Sequence, residues 1–185
     1  RIKMKAFRKV MALILALTIC LGMALSLASC GNNDDETIEI TDMSGTTVKI
    51  PKSPKKVAAV SPSTGDLMIA FGLGDLLDGT YYSTLNNPWA KEIYPESESF
   101  YGYDYDNSVE TFVMQGVDLI FIPEPSAAQT LRDHGLNALC VRQFAETGYD
   151  DYVFYFSEMV RQIWGEDENV SARIDMWQND FSTAL

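Results

Sequence analysis

One histidine and three cysteines are all that the 185 residues offer of the side chains that most often hold transition metals. A zinc or copper site draws several such ligands together, so no resident metal and no cofactor is expected. The cysteines also leave no room for a disulfide framework. Cys20 and Cys30 fall in the N-terminal segment, and Cys140, in the apolar run Ala138-Leu139-Cys140-Val141, reads as a small hydrophobe on a buried strand. Basic residues are scarce as well. Lys plus Arg number 14 against 26 Asp plus Glu, and five of the 14 (Arg1, Lys3, Lys5, Arg8, Lys9) crowd into the first nine positions. Beyond them, nine basic residues face 26 acidic ones, a net of −17. Such a surface repels polyphosphate backbones and anionic headgroups, which argues against nucleic acid as a partner. Phosphate-cradling glycine loops are missing too. Gly72-x-Gly74 with Gly79 lacks the third glycine of a dinucleotide fingerprint, position 77 being Leu, and these glycines end a helix instead of opening one. No G-x-S-x-G elbow is present, so Ser, His and Asp occur without the local frame of a hydrolase.

What the chain does have begins at its start. The basic residues above precede an uncharged, mostly apolar run over residues 10–27, which leads into Ala28 and Ser29. That layout is a secretory signal. Leu27-Ala28-Ser29-Cys30 is similar to the lipobox at which bacterial signal peptidase cuts after Cys30 has been lipidated. An uncleaved anchor is the alternative, because about 18 apolar residues suffice to cross a bilayer. The small residues closing the run, in place of a charged stop-transfer flank, favour cleavage. Either way residues 31–185 are expected outside the cytoplasm. Met4-Lys5 reads as the natural start of the signal. The polar stretch 31–36 is a flexible tether, reaching about 20 Å at most.

Thr37-Ile38-Glu39-Ile40-Thr41 and Thr46-Thr47-Val48-Lys49-Ile50 alternate around the turn chemistry of Asp42-Met43-Ser44-Gly45, which predicts a hairpin. Val57-Ala58-Ala59-Val60 is a continuous apolar run of the kind found in buried parallel strands. A helix carrying Leu67, Met68 and Phe71 follows and closes at Gly72. Further on, Val109, Phe112 and Val113 predict a short helix ending at Gly116. Residues 119–122 predict a buried strand, residues 127–134 a helix stopped by Gly135, and residues 139–141 another strand. Strands alternating with helices imply an α/β fold with an open, largely parallel sheet flanked by helices. Val153, Phe156, Val160 and Ile163 then share one helical face. Gly165 interrupts the pattern, and Val170, Ile174, Trp177, Phe181 and Leu185 resume it with no stop signal, so a further C-terminal part is expected.

Between the two clear strand–helix units crowd Tyr81, Tyr82, Trp89, Tyr94, Phe100, Tyr101, Tyr103 and Tyr105. Tyrosine supplies flat area plus a hydroxyl, and loops rich in it suit either a ligand platform or a loop packed on its own domain. His134, just before Gly135, suits the negative end of a helix.

The order of these features carries a resemblance. Lipobox, acidic tether, Asp42-x-x-Gly45 hairpin, Ile50-Pro51 with Pro54-Lys55-Lys56-Val57, Ser61-Pro62-Ser63 with Asp66-Leu67 and Phe71-Gly72-Leu73, Val109-Glu110 before Gly116-Val117-Asp118-Leu119-Ile120, and the Gly135 turn follow one another. The series resembles the substrate-binding proteins of ABC importers for iron-siderophores, haem and cobalamin. The resemblance implies two α/β lobes joined by a helix, with ligand in the cleft between them. Residues 37–148 would form the first lobe and residues 149–185 the start of the helical link, the second lobe being absent. Ligand contacts would come from Ser61, Pro62, Ser63, Thr64, Tyr82, Tyr101, Tyr103, Tyr105, Pro123 and Glu124, positions that also lie where open α/β sheets bind ligands. Glu110 would dock on an ABC permease, although a carboxylate at a helix start is explained by the dipole alone. Val117 stands where the family often has proline. No Arg or Lys falls in the expected cleft segments, which implies that the second lobe supplies any cation or that the ligand is neutral or cationic. The function implied is binding without bond chemistry: capture of a metal chelate or tetrapyrrole by a lipid-anchored protein. An exported α/β enzyme and a membrane-tethered sensor are the alternatives.

Overall fold

The computed structural model describes residues 36–142 and 148–184. The expected export signal with Cys30, nearly all of the expected tether and residues 143–147 lie outside the described residues. Among those described, no helix is long and apolar enough to cross a membrane.

Strands β1 (Thr37–Thr41) and β2 (Thr47–Pro51) form the expected antiparallel hairpin, with Ile38 opposite Ile50 and Ile40 opposite Val48. One face of this ribbon is buried and the other wet, as period-two alternation requires. β3 (Val57–Ala59) is buried along its whole length. It feeds helix α1 (Pro62–Ala70), whose fixed-φ Pro62 opens the first turn and whose end is turned by Gly72 at φ +81°. A single 3-10 turn leads to β4 (Leu77–Tyr81). The short helices α2 (Tyr82–Leu85) and α3 (Pro88–Ile93) cross to β5 (Tyr101–Tyr103). α4 (Val109–Gln115) ends on left-handed Gly116, and β6 (Leu119–Ile122) follows it. α5 (Pro125–Asp133) and β7 (Ala138–Cys140) complete the sheet. Helices α6 (Tyr149–Trp164) and α7 (Glu168–Ala184) close the chain.

All five sheet strands are parallel, in the order β5-β4-β3-β6-β7. Because successive side chains on a strand point to opposite faces, the buried strands feed two cores. Val57, Ala59, Leu119, Phe121, Leu139 and Val141 face α1, α6, α7 and the hairpin. Ala58, Val60, Ile120, Ile122, Ala138 and Cys140 face α4 and α5. Each fully buried Leu, Ile or Phe contributes about 1.5–3 kcal/mol of transfer free energy. The tail helices share the first core: Val153, Phe156, Met159, Val160, Ile163 and Ile174 all pack into it, and Trp164 Nε1 donates to the Pro54 carbonyl at 3.3 Å. Residues 36 onward therefore make one compact unit.

The tyrosine-rich stretch is not simply loop, because it contains β4 and β5. Leu77-Asp78-Gly79-Thr80-Tyr81 shows little apolar run, and glycine is depleted in strands generally. Gly79 is there because the chains crowd: a Cβ at that position would lie 2.1 Å from the Tyr101 carbonyl oxygen. In α4 Phe112 is buried and Val109 packs partly buried against the same core, whereas Val113 is 59% exposed.

The hairpin is fixed to the far edge of the sheet through Asp42. Its Oδ1 accepts from the Ser44 amide and hydroxyl and from the Thr46 amide, and its Oδ2 accepts from the Cys140 amide at 3.0 Å and Arg132 Nη1 at 3.1 Å. The Met43 amide in turn donates to the Cys140 carbonyl at 3.0 Å. Burial pushes the carboxyl upward, but these bonds outweigh it and hold Asp42 below its usual value. The β7 edge, which would otherwise present unpaired backbone groups, is thereby covered.

Candidate functional site

The connections out of β3 and β6 diverge. β3 leads through α1 to β4 on one side, whereas β6 on its other side leads through α5 to β7. In open α/β sheets this reversal leaves a crevice beyond the carboxyl ends of the two strands. A depression of about 290 Å³ lies there. Ser61, the cap of α1, and Ser63, in its first turn, wall it beyond β3, Pro123 and Glu124 from the β6–α5 loop, Val141 and Arg142 from the end of β7, and Tyr152 from α6. Three hydroxyls, one carboxylate and one guanidinium thus converge on a small polar hollow. The Thr64 hydroxyl is fully buried beneath it, 2.8 Å from the Tyr152 hydroxyl. A larger hollow of about 460 Å³ lies between the hairpin tip and α6, lined among others by Met43, Tyr155 and Met159. No end of a parallel strand reaches it, so the smaller depression is the candidate site.

Of the expected contacts, Ser61, Ser63, Pro123 and Glu124 are brought together. Pro62 and Thr64 sit one layer back, Pro62 half-buried as the first helical residue and Thr64 in the core. Tyr82 and Tyr105 are exposed at the carboxyl ends of β4 and β5. Tyr81 bridges them, its ring centroid 4.7 Å from that of Tyr82 and 4.5 Å, stacked, from that of Tyr105. Partial desolvation, with the Tyr82 hydroxyl next in weight, raises the Tyr81 phenol to about 12. Tyr101 is 37% exposed. Tyr103 is different, and its reading as a ligand contact is corrected: it is fully buried, stacked at 5.2 Å on Phe112, and donates to Asp78 at 2.6 Å. Burial and that carboxylate push its phenol far above the ordinary range. It serves the second core, where Phe112 covers its ring.

No Arg or Lys falls in the expected cleft segments themselves, yet Arg142, outside them, lines the depression. Its signal was position alone: it follows Val141 directly, at the carboxyl end of the last strand. Tyr152 was missed for another reason, having been read as part of the tail and not of the site. Glu110 is exposed in the first turn of α4, where its own amide and the Ser108 hydroxyl hold its carboxyl below the usual value. His134 Nδ1 lies 2.8 Å from the Thr130 carbonyl, the helix-end arrangement expected of it. Cys140 is buried, and burial, with the Asp42 charge behind it, pushes its thiol up to about 11. No group of three or more His, Cys, Asp or Glu side chains poised for a metal occurs among the described residues.

No family model matches the chain. It is 27% identical over 178 residues to the uncharacterized ABC transporter substrate-binding lipoprotein YvrC of Bacillus subtilis, covering 85% of this chain and 53% of that protein. Among solved structures it is similar to a periplasmic solute binding protein from Veillonella parvula. That match has a TM-score of 0.67 at 18% identity and covers 80% of this chain and 47% of the other. It is similar also to the petrobactin-binding protein YclQ of Bacillus subtilis, with a TM-score of 0.63 at 17% identity, covering 81% and 52%. The fold is that of one lobe of a periplasmic binding protein, and the chain spans about half the length of the proteins it matches.

Proposed function

We propose that the chain is the ligand-binding first lobe, with its helical segment, of an extracytoplasmic solute-binding lipoprotein. That protein captures an iron-siderophore or a related metal chelate, haem and cobalamin included, and hands it to an ABC permease. The observation that carries the reading is the polar depression at the strand-order reversal, lined by Ser61, Ser63, Glu124, Arg142 and Tyr152. Its hydroxyls and charges suit the oxygen-rich rim of a chelate, and the Tyr81–Tyr82–Tyr105 cluster offers flat area for an aromatic part. The similarity to a substrate-binding lipoprotein and to a petrobactin-binding protein supports the same reading.

Lipidation of Cys30 would hold the lobe at the membrane, and Glu110, presented on an exposed helix start, would meet a basic patch on the permease. The test is a binding panel on the complete gene product. Ferric catecholate and hydroxamate chelates, haemin and cyanocobalamin are titrated while intrinsic fluorescence is followed. Saturable quenching by one class at micromolar or tighter affinity is expected. No binding across the panel, together with turnover of esters or phosphates, would replace this reading by the exported-enzyme one. Cys30→Ala should abolish acylation and release the protein from membranes.

A further inference from the structure

The residues walling the depression come from the ends of the sheet strands and the start of α1, with one exception. Tyr152 belongs to α6, in the helical segment that follows the sheet. Its side chain does two things at once. The ring stands parallel to Phe156, 4° from coplanar at 6.1 Å, which anchors it in the core shared by α6 and the sheet. The hydroxyl meets Thr64 Oγ1 at 2.8 Å, and both residues are nearly or fully buried. Thr64 lies in the first turn of α1, directly after Ser63, and the Gly65 amide donates back to the Ser61 carbonyl at 3.1 Å. The start of α1, with Ser61 at its cap and Ser63 in its first turn, is thus tied to the helical segment by a buried hydroxyl pair at the floor of the site.

We propose that Tyr152 is a ligand-positioning residue. Its hydroxyl, through Thr64, sets the placement of the start of α1, which carries Ser61 and Ser63, and so couples occupancy of the depression to the seating of α6. The inference rests on the ligand reading of the depression and adds to it a route by which bound ligand is felt outside the sheet. A buried hydroxyl pair suits this role because its optimum is narrow in distance and angle, and the Thr64 hydroxyl, fully buried, would have no water to turn to. By linkage, if the seating of α6 tightens ligand binding by some factor, bound ligand favours that seating by the same factor.

The test uses the complete protein and the chelate, haemin or cobalamin probe that saturates the wild type. Tyr152→Phe keeps the ring and its stacking and removes only the hydroxyl. Thr64→Val removes the partner, and Thr64→Ser restores it. Each of the first two is expected to weaken binding about 5- to 20-fold, which is the span of one hydrogen bond. The double variant should be no weaker than either single, and Thr64→Ser should bind like wild type. Ligand should slow amide exchange over residues 152–156 in wild type and not in Tyr152→Phe. A variant that melts earlier but binds as tightly overturns the proposal, as does additive loss in the double variant. If no probe binds the wild type, the functional reading falls by itself. The coupling is then judged on the ligand-free protein, where Tyr152→Phe must speed exchange of the amides of residues 63–66 severalfold. Unchanged exchange overturns it.

Discussion

Removing the Asp42 carboxylate should loosen the whole molecule more than any other single polar change. The side chain has no exposed surface, and it gathers five donors: two amides and a hydroxyl of its own turn, the Cys140 amide and the Arg132 guanidinium. Asp42→Ala strands the Cys140 amide and a guanidinium whose side chain is only 12% exposed. Breaking a buried, hydrogen-bonded ion pair by deleting one partner costs about 3–5 kcal/mol. Arg132 retains the Ala138 carbonyl and Gln129 as acceptors, so the lower end applies. For a body of this size about 3 kcal/mol corresponds to a fall of roughly 10 °C in Tm. Thermal unfolding followed by circular dichroism measures it. Because the folded carboxyl titrates below its unfolded value, its contribution is fully present above the unfolded pKa and is lost as pH falls through the folded one. The gap between wild type and Asp42→Ala should therefore hold steady from neutrality to about pH 5 and close below about pH 4. A gap under about 3 °C at neutral pH, or one that widens on acidification, would refute the reasoning.

Three further outcomes follow from particular contacts. Gly79→Ala forces a methyl to within 2.1 Å of the Tyr101 carbonyl oxygen and should cost about 3 kcal/mol or part β4 from β5; urea unfolding within 1 kcal/mol of wild type would contradict it. Tyr103→Phe removes the bond to Asp78, which keeps Lys56 Nζ at 2.9 Å, so about 1–3 kcal/mol of stability should go while ligand affinity stays. A Tyr103→Phe protein of full stability and weakened binding would return Tyr103 to the site. Cys140, with its thiol raised to about 11 and buried, should resist iodoacetamide near pH 8 in the native protein and react after denaturation, as peptide mapping would show.

The elements legible in the sequence were those whose pattern is set by burial on both faces or by a left-handed cap. Val57-Ala58-Ala59-Val60 and Leu119-Ile120-Phe121-Ile122 advertise parallel strands because nothing polar interrupts them. Gly72, Gly116 and Gly135 mark helix ends because each turns through positive φ. β4 and β5 were not legible, since their place in the sheet rests on close backbone approach at Gly79 and on one inward Tyr103, neither of which makes a periodic signal. The site divides along the same line. Loop residues directly after apolar strands were identified, whereas Arg142 and Tyr152 were not, because their role depends on where β7 and α6 lie beside β6.

The docking of the hairpin on β7 has a consequence for when the molecule can fold. Asp42 and the Cys140 amide it accepts from are 98 positions apart, so the first strands made wait for the last strand of the sheet. Contacts of such long span form late, after their loop-closure entropy has been met by other contacts. For a polypeptide threaded N-terminus first through a translocation channel, as the export reading requires, the body has no native stopping point until residue 140 has emerged. On that reading the Asp42 clasp would close only after residue 140 has crossed, and the docking of the hairpin on β7 would be among the last contacts made.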